Sequence, residues 1–260
     1  MGRLGAAVAI AATLIASAAE GADLGAATAG AYAAYVEQAQ RAFLSRIAAG
    51  PSLPAADAPT VGPAREDGII AVNGGLIHHW RGRTYLRNVS LRDVIAVTQA
   101  YDSYNRVYRS IVSSSLLARD GDTYRVRVRL KESEAGLSAV LDVWSTVRYS
   151  YPGDGVVAAI SLSNDIRQVS DPGGPHEQLL PAGTGNGYLW RAATFTAFFQ
   201  RQDGVIVETE TIGLSRPFPP LLGWFIEPIA RRLGRKSVET SLQELTAATK
   251  PPPTGHGAGS

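Results

Sequence analysis

Two adjacent histidines, His78 and His79, are the side chains best suited to acid–base or ligand work near neutral pH. They lie within Leu76-Ile-His-His-Trp-Arg81, which reads as a β-strand, so consecutive side chains point to opposite faces. The pair cannot close on one metal ion without a bulge, and at most one of them faces an enclosed cavity. The other two histidines, His176 and His256, fall in Gly/Pro-rich segments. The chain has no cysteine, which removes thiol catalysis, disulfides and thiolate metal sites together. Asp142 beside Trp144, and Arg191 with Glu208 and Glu210, read either as polar groups at a cavity mouth or as cross-strand charge pairs, with a solvated sheet face the favoured reading. Gly183-Thr-Gly-Asn-Gly187 lacks the following helix that a phosphate cradle needs, and is a turn. No nucleophile elbow, paired His-Glu helix motif or P-loop occurs, so no catalytic residue, cofactor or metal is assigned.

The elements that must position these residues are mostly strands. Tyr188 to Phe199 is rich in aromatic and β-branched residues, Asp203-Gly204 supplies a tight turn, and Val205 to Leu214 returns. On the return strand Val205, Val207, Thr209 and Thr211 share one face, while Ile206, Glu208, Glu210, Ile212 and Leu214 share the other. Pro217, Pro219 and Pro220 end it. Upstream, Tyr124 to Leu130 alternates Tyr124, Val126, Val128 and Leu130 inward with Arg125, Arg127 and Arg129 outward. Leu137 to Tyr149 and Val156 to Val169 continue as strands, with Trp144 on the face of Asp142 and Thr146. Helical spacing marks Ala26 to Ala49, with a stripe of Tyr32, Tyr35, Val36, Ala39, Phe43 and Ile47, and again Leu91 to about Ile111 behind a Ser90 cap. A third helical stretch begins near Leu221, where Leu222, Ile226, Ile229 and Leu233 form a stripe. Pro228 and Gly234 predict a break, with Ser237 capping a second segment through Val238, Leu242 and Leu245.

In 260 residues, 45% hydrophobic and 18% charged residues fit an ordinary globular domain. A balance of 25 basic against 23 acidic side chains gives no electrostatic case for nucleic acid. Arg3 followed by the uncharged run Leu4 to Ala19 and small residues beyond it predicts a signal peptide over residues 1–21, and hence a periplasmic or secreted protein. Residues 22–67 read as an N-terminal helix and Pro-rich linker, 68–249 as the main domain and 250–260 as a disordered tail.

The order of strand, helices, further antiparallel strands and terminal helix, over roughly Leu76 to Ala248, resembles the START/SRPBCC superfamily. The resemblance rests on Ile77-His-His-Trp-Arg-Gly82 as opening strand, on Val97-Thr-Gln-Ala-Tyr-Asp-Ser-Tyr104 ahead of Ser113 to Leu117, and on Leu214-Ser215-Arg216 before the last helix. It implies an α+β helix-grip fold, a curved antiparallel sheet of about seven strands wrapped on a C-terminal helix, here with an N-terminal helical extension that could cover one cavity mouth. The superfamily, which includes polyketide cyclase/dehydrase-like proteins, holds apolar molecules between sheet and helix. The expected ligand contacts are His78, Tyr101, Tyr104, Trp190, Phe195, Phe225, Ile226 and Ile229, although any one of the aromatic residues can equally fill a core. The leading expectation is exported, non-catalytic binding of a hydrophobic small molecule or lipid, compatible with transient membrane contact and admitted by opening of the broken helix. A cyclase or dehydratase using a cavity acid/base, and a protein-interaction module, are the alternatives, since fold alone does not choose among them.

Overall fold

The computed structural model describes residues 23–51, 58–134, 137–218 and 223–250. Residues 1–21, where the signal peptide is expected, and most of the expected tail, 251–260, lie outside the described residues. Ten strands form one antiparallel sheet: β1 (Thr60–Pro63), β2 (Ile69–Val72), β3 (Gly75–Arg87), β4 (Ile111–Asp120), β5 (Thr123–Glu134), β6 (Leu137–Gly153), β7 (Val156–Ser170), β8 (Gln178–Leu179), β9 (Arg191–Arg201) and β10 (Gly204–Ser215). Their order is β1-β3-β10-β9-β7-β6-β5-β4, with β2 paired to β3 and β8 to β7. The count exceeds the expected seven because three short strands, β1, β2 and β8, come from stretches whose Pro and Gly content hides them. β1 lies in the presumed linker, pairing Thr60 with Arg83 and Pro63 with Trp80. Pro63 is tolerated at the end of a short strand, where a missing N–H costs least.

The closing hairpin forms as the Asp203-Gly204 turn dictates. β10 runs against β9 from Gly204 opposite Arg201 to Leu214 opposite Arg191. Its other edge pairs with all of β3, from Gly204 opposite Arg87 to Ser215 opposite Leu76. Register shifts interrupt β4 against β5 and β6 against β7. Such bulges bend strands and increase their twist.

Among the described residues, four α-helices accompany the sheet: α1 (Ala26–Ala49), α2 (Leu91–Gln99), the single turn α3 (Tyr104–Val107) and α4 (Gly223–Thr249). Ser90 caps α2 by accepting from the Asp93 amide at 3.2 Å. The helix expected to run on to Ile111 stops at Gln99, and a 3-10 turn, Tyr101–Ser103, separates it from α3. The reason is tertiary: the hydroxyls of Tyr104 and Tyr149 both donate to the carbonyl of Thr98, satisfying a terminal acceptor that a longer helix would have used. The expected break in α4 is absent. Pro228 lies inside one continuous helix, near its start, where a lost amide hydrogen bond is least disruptive.

Both faces of the sheet are covered, and this places every later residue. One face carries Trp80, Leu86, Tyr124, Val126, Tyr149, Phe198, Val205 and Val207, packed with Val94 and Tyr101 and with Val238, Leu242 and Leu245 of α4. The other carries Ile77, Tyr85, Phe195, Phe199, Ile206, Ile212 and Leu214 against Tyr32, Val36, Ala39, Phe43 and Ile47 of α1. The N-terminal extension therefore does not cover a mouth on the α4 side. Its apolar stripe seals the back of the sheet, and Tyr32 Oη donates to the Ile212 carbonyl at 3.0 Å. α4 is seated close to β3 because glycine stands at two contact points: a Cβ on Gly82 would fall 2.6 Å from Val238 Cγ1, and one on Gly234 would fall 2.7 Å from Trp80 Cδ1.

The charge pairs expected on a solvated face are buried instead. Asp142 is fully buried on the back of the sheet, where it accepts from Arg129 Nε at 2.7 Å and from Arg127. Burial pushes its carboxyl up, but the hydrogen bonds of Arg129 and Arg127 outweigh that and hold it below the ordinary carboxylate range. Glu210 is buried under α1, where Arg46, Arg81 and His79 surround it. Arg191 has no part in that group; its guanidinium donates to the Trp190 carbonyl at 2.8 Å.

Candidate functional site

Alternation along β3 sends His78, Trp80 and Gly82 toward α4, and Ile77, His79 and Arg81 toward α1. On the α4 side, between the sheet and the N-terminal half of that helix, lies a cavity of about 470 Å³. Its floor includes His78, Leu141, Ala192 and Thr211, and its roof includes Ile229 and Leu233. Chain entry to the helix closes one side through Pro217 and Phe218. The space exists because the floor of β9 and β10 is built from Ala192, Thr194, Thr211 and Gly213, small side chains that do not reach the helix. Farther along, Phe198, Val205 and Val207 fill the same layer completely.

Ionisable side chains in the cavity lining are His78, Glu132, Tyr188 and Arg216, and the contacts of His78 are the best defined. Its Nε2 lies 2.8 Å from Ser215 Oγ, which in turn donates to the Arg216 carbonyl at 3.1 Å. Burial pushes the imidazole down to about 4, so His78 is neutral at pH 7. Its partner is a hydroxyl and not a carboxylate, and Ser215 spends its hydrogen on a backbone carbonyl. This is a poor arrangement for an activated nucleophile, which needs its proton held by the base. No group of three or more His, Cys, Asp or Glu positioned for a metal occurs among the described residues.

His79 faces the other way, beneath α1. Tyr35 Oη lies 2.8 Å from its Nδ1, and its Nε2 lies 3.1 Å from Glu210 Oε2. A carboxylate only accepts, so Nε2 carries the hydrogen and Nδ1 accepts from Tyr35. Burial first, then the charges of Arg81, Arg46 and Arg65, push His79 down to about 4. The contact with Glu210 is thus a hydrogen bond from neutral imidazole and not an ion pair, because two guanidiniums already balance the carboxylate.

The residues expected to touch ligand divide among three places. His78 and Ile229 line the cavity. Tyr101 and Tyr104 stand at the far end of the same face, in a tyrosine cluster where Tyr101 Oη is 3.1 Å from Tyr149 Oη. Trp190 and Phe195 lie in the core on the α1 side, the Phe195 ring 5.5 Å from that of Phe43. The side chains of Phe225 and Ile226 lie outside the described residues. The sequence reading missed Ala192, Thr194, Thr211 and Gly213. Their smallness next to large neighbours on the same face is the signal that would have found them, since a run of small residues in a core layer leaves space.

No protein-family model matches this sequence, and no curated protein matches it either. Solved structures with a similar fold include a STAR-related lipid transfer protein from Xanthomonas axonopodis, 18% identical with a TM-score of 0.44 over 70% of this chain and 97% of that one. A START superfamily protein from Mycobacterium smegmatis is 12% identical, with a TM-score of 0.42 over 68% of this chain and 97% of that one. An aromatase/cyclase from Streptomyces sp. R1128 is 13% identical, with a TM-score of 0.37 over 66% of this chain and 88% of that one. The assignment of architecture rests on the strand order and on α4 lying across the sheet. The fold is the helix grip.

Proposed function

We propose that this protein binds a hydrophobic small molecule or lipid between its sheet and α4, without catalysing a reaction on it. The observation that carries this reading is the cavity of about 470 Å³, walled largely by apolar side chains. Ligand sites typically occupy ~300–1,000 Å³ with a few polar groups fixing orientation. Removing ~200–400 Å² of apolar ligand surface from water contributes roughly 5–10 kcal/mol before ordering costs, enough for micromolar affinity without a strong polar anchor. The neutral His78, bonded to a hydroxyl, suits a polar contact to such a ligand better than a general base. The cavity's being open space supports binding over an interaction groove filled by its own side chains. No helix among the described residues is long and apolar enough to cross a membrane. The charged start and apolar run of residues 4–19 support delivery of this binding activity to the periplasm or outside the cell.

A cyclase or dehydratase is the second reading, favoured by the ionisable side chains of His78 and Glu132 in the cavity lining. Native mass spectrometry of protein purified from its own host separates the two: an apolar molecule retained unchanged is expected. Turnover of a polyketide substrate, abolished by His78→Phe, would overturn the non-catalytic reading.

A further inference from the structure

A second cavity lies on the other side of the sheet, between α1 and β3, and has a different chemistry. It is small, about 130 Å³, room for roughly four waters or one small oxyanion. Three guanidiniums from three separate elements line it: Arg46 of α1, Arg65 just after β1 and Arg81 of β3. The one carboxylate there, Glu210, is already saturated. Its Oε1 takes Arg46 and Arg81, the latter at 2.8 Å, and its Oε2 takes His79. Tyr35 completes the imidazole, so His79 has no hydrogen left to give. Glu208 and Arg83, the next charges on the same face, stand opposite each other across β10 and β3, and the charge of Glu208 reaches both Arg46 and Arg81. The lining itself therefore carries three guanidiniums and one carboxylate, and among the described residues only Arg46 and Arg81 bond that carboxylate.

That imbalance has a cost that an anion would relieve. Burial, and then the charge of Arg81, lower the Arg46 guanidinium, and burial lowers that of Arg81, with Arg83 working against Glu208. Arg65 makes no ion pair with any described residue; its charge reaches both Tyr35 and His79, and at Tyr35 the neighbouring Glu66 opposes it. Guanidinium forks match planar carboxylate and tetrahedral phosphate oxygens, and bonds to them are the strong, charge-assisted kind. The amide of Gln38 on the same wall adds an uncharged donor.

We propose that the cavity beneath the N-terminal helix is a binding site for a small oxyanion, a carboxylate or phosphate group held by Arg46, Arg65 and Arg81. A bound anion would add a further tie among α1, the segment after β1 and β3, which are already joined by the Tyr35–His79 contact and by the Ala64 amide donating to the His79 carbonyl. The site is separate from the apolar cavity and does not depend on what that cavity binds.

The test uses the full described protein and two probes, inorganic phosphate and acetate, titrated calorimetrically at pH 7.5 with sodium chloride holding ionic strength constant. Saturable binding of either probe is expected, with a dissociation constant of about 1 mM and a rise in melting temperature that follows mass action. Stronger phosphate binding would assign a tetrahedral anion, stronger acetate binding a carboxylate, and each supports the site. Arg65→Gln, an exposed position outside the Glu210 network, should weaken binding about tenfold, the loss expected for one charge-assisted hydrogen bond. Arg125→Gln, on the distant strand β5, should leave it unchanged. No binding beyond chloride, or equal affinity in the Arg65 and Arg125 variants, would overturn the proposal.

Discussion

The indole of Trp80 occupies the place where a side chain on Gly234 would begin, with a Gly234 Cβ falling 2.7 Å from Trp80 Cδ1 and 3.0 Å from Cε2. Glycine in the middle of a helix costs ~1 kcal/mol relative to alanine, so propensity alone says that Gly234→Ala should stabilise. The contact says the reverse, because real Cβ atoms do not approach a ring so closely. Gly234→Ala is expected to lower stability by about 1–3 kcal/mol, as overpacking of a tight contact does. In the Trp80→Leu background the same substitution should be neutral or favourable. Urea denaturation of the four proteins in this cycle checks the coupling, and additive effects would separate α4 from Trp80.

Filling the cavity should weaken ligand binding without unfolding the chain. Ile229 lines the roof of a space of about 470 Å³, so Ile229→Trp has room to enter it. An environment-sensitive apolar dye or fatty acyl probe is expected to bind the native protein at micromolar concentration and to bind this variant at least tenfold less tightly, with the melting temperature little changed. Fluorescence titration measures both, and unchanged affinity would place the probe elsewhere.

Arg127 is one of the three outward arginines of β5, and a surface position would tolerate charge reversal within about half a kcal/mol. Here it bonds the fully buried Asp142 and its guanidinium stands 5.0 Å from the centre of the Trp144 ring. Arg127→Asp sets two carboxylates together and should cost about 1–3 kcal/mol, less than breaking a fully buried pair because Arg127 is part-exposed and Arg129 still holds Asp142. The exposed Arg125→Asp should be nearly silent. Thermal melts of the two variants give the comparison.

The depressed His78 makes stability depend on acid. Its folded-state value is about 4, against about 6.5 in the unfolded chain. Between those values the unfolded state binds the proton and the folded state does not, so stability rises with pH across that window. The contribution is complete above about pH 6.5, falls as pH drops below it and is gone near 4, with an upper size of about 3 kcal/mol. Denaturant melts at pH 7, 5.5 and 4.5 should show this loss, and His78→Phe should flatten part of the slope. An identical slope in the variant would mean that His78 titrates normally.

Local signals in the sequence determined much of this protein. The Asp203-Gly204 turn, the Ser90 cap, the two faces of β10 and the stripe of α1 from Tyr32 to Ile47 all form as the residue types require, because each depends on neighbours within a few positions. The length of α2 did not follow, since Tyr104 and, from far along the chain, Tyr149 claim the carbonyl of Thr98. Nor did the continuity of α4, where packing of Gly234 on Trp80 overrides what Pro228 and glycine suggest locally. The deepest limit concerns the faces of the sheet. Alternation with period two separates Thr194 from Phe195 and His78 from His79, but it does not say which helix each face will meet. Both faces here are covered, so both carry apolar residues. Only the docking of α1 and α4 on opposite sides decided that Phe195 fills a core beneath α1 while Thr194 lines a cavity beneath α4. The cavity itself is a property of three small residues and a glycine meeting across strands, and such a gap exists in no single stretch of chain.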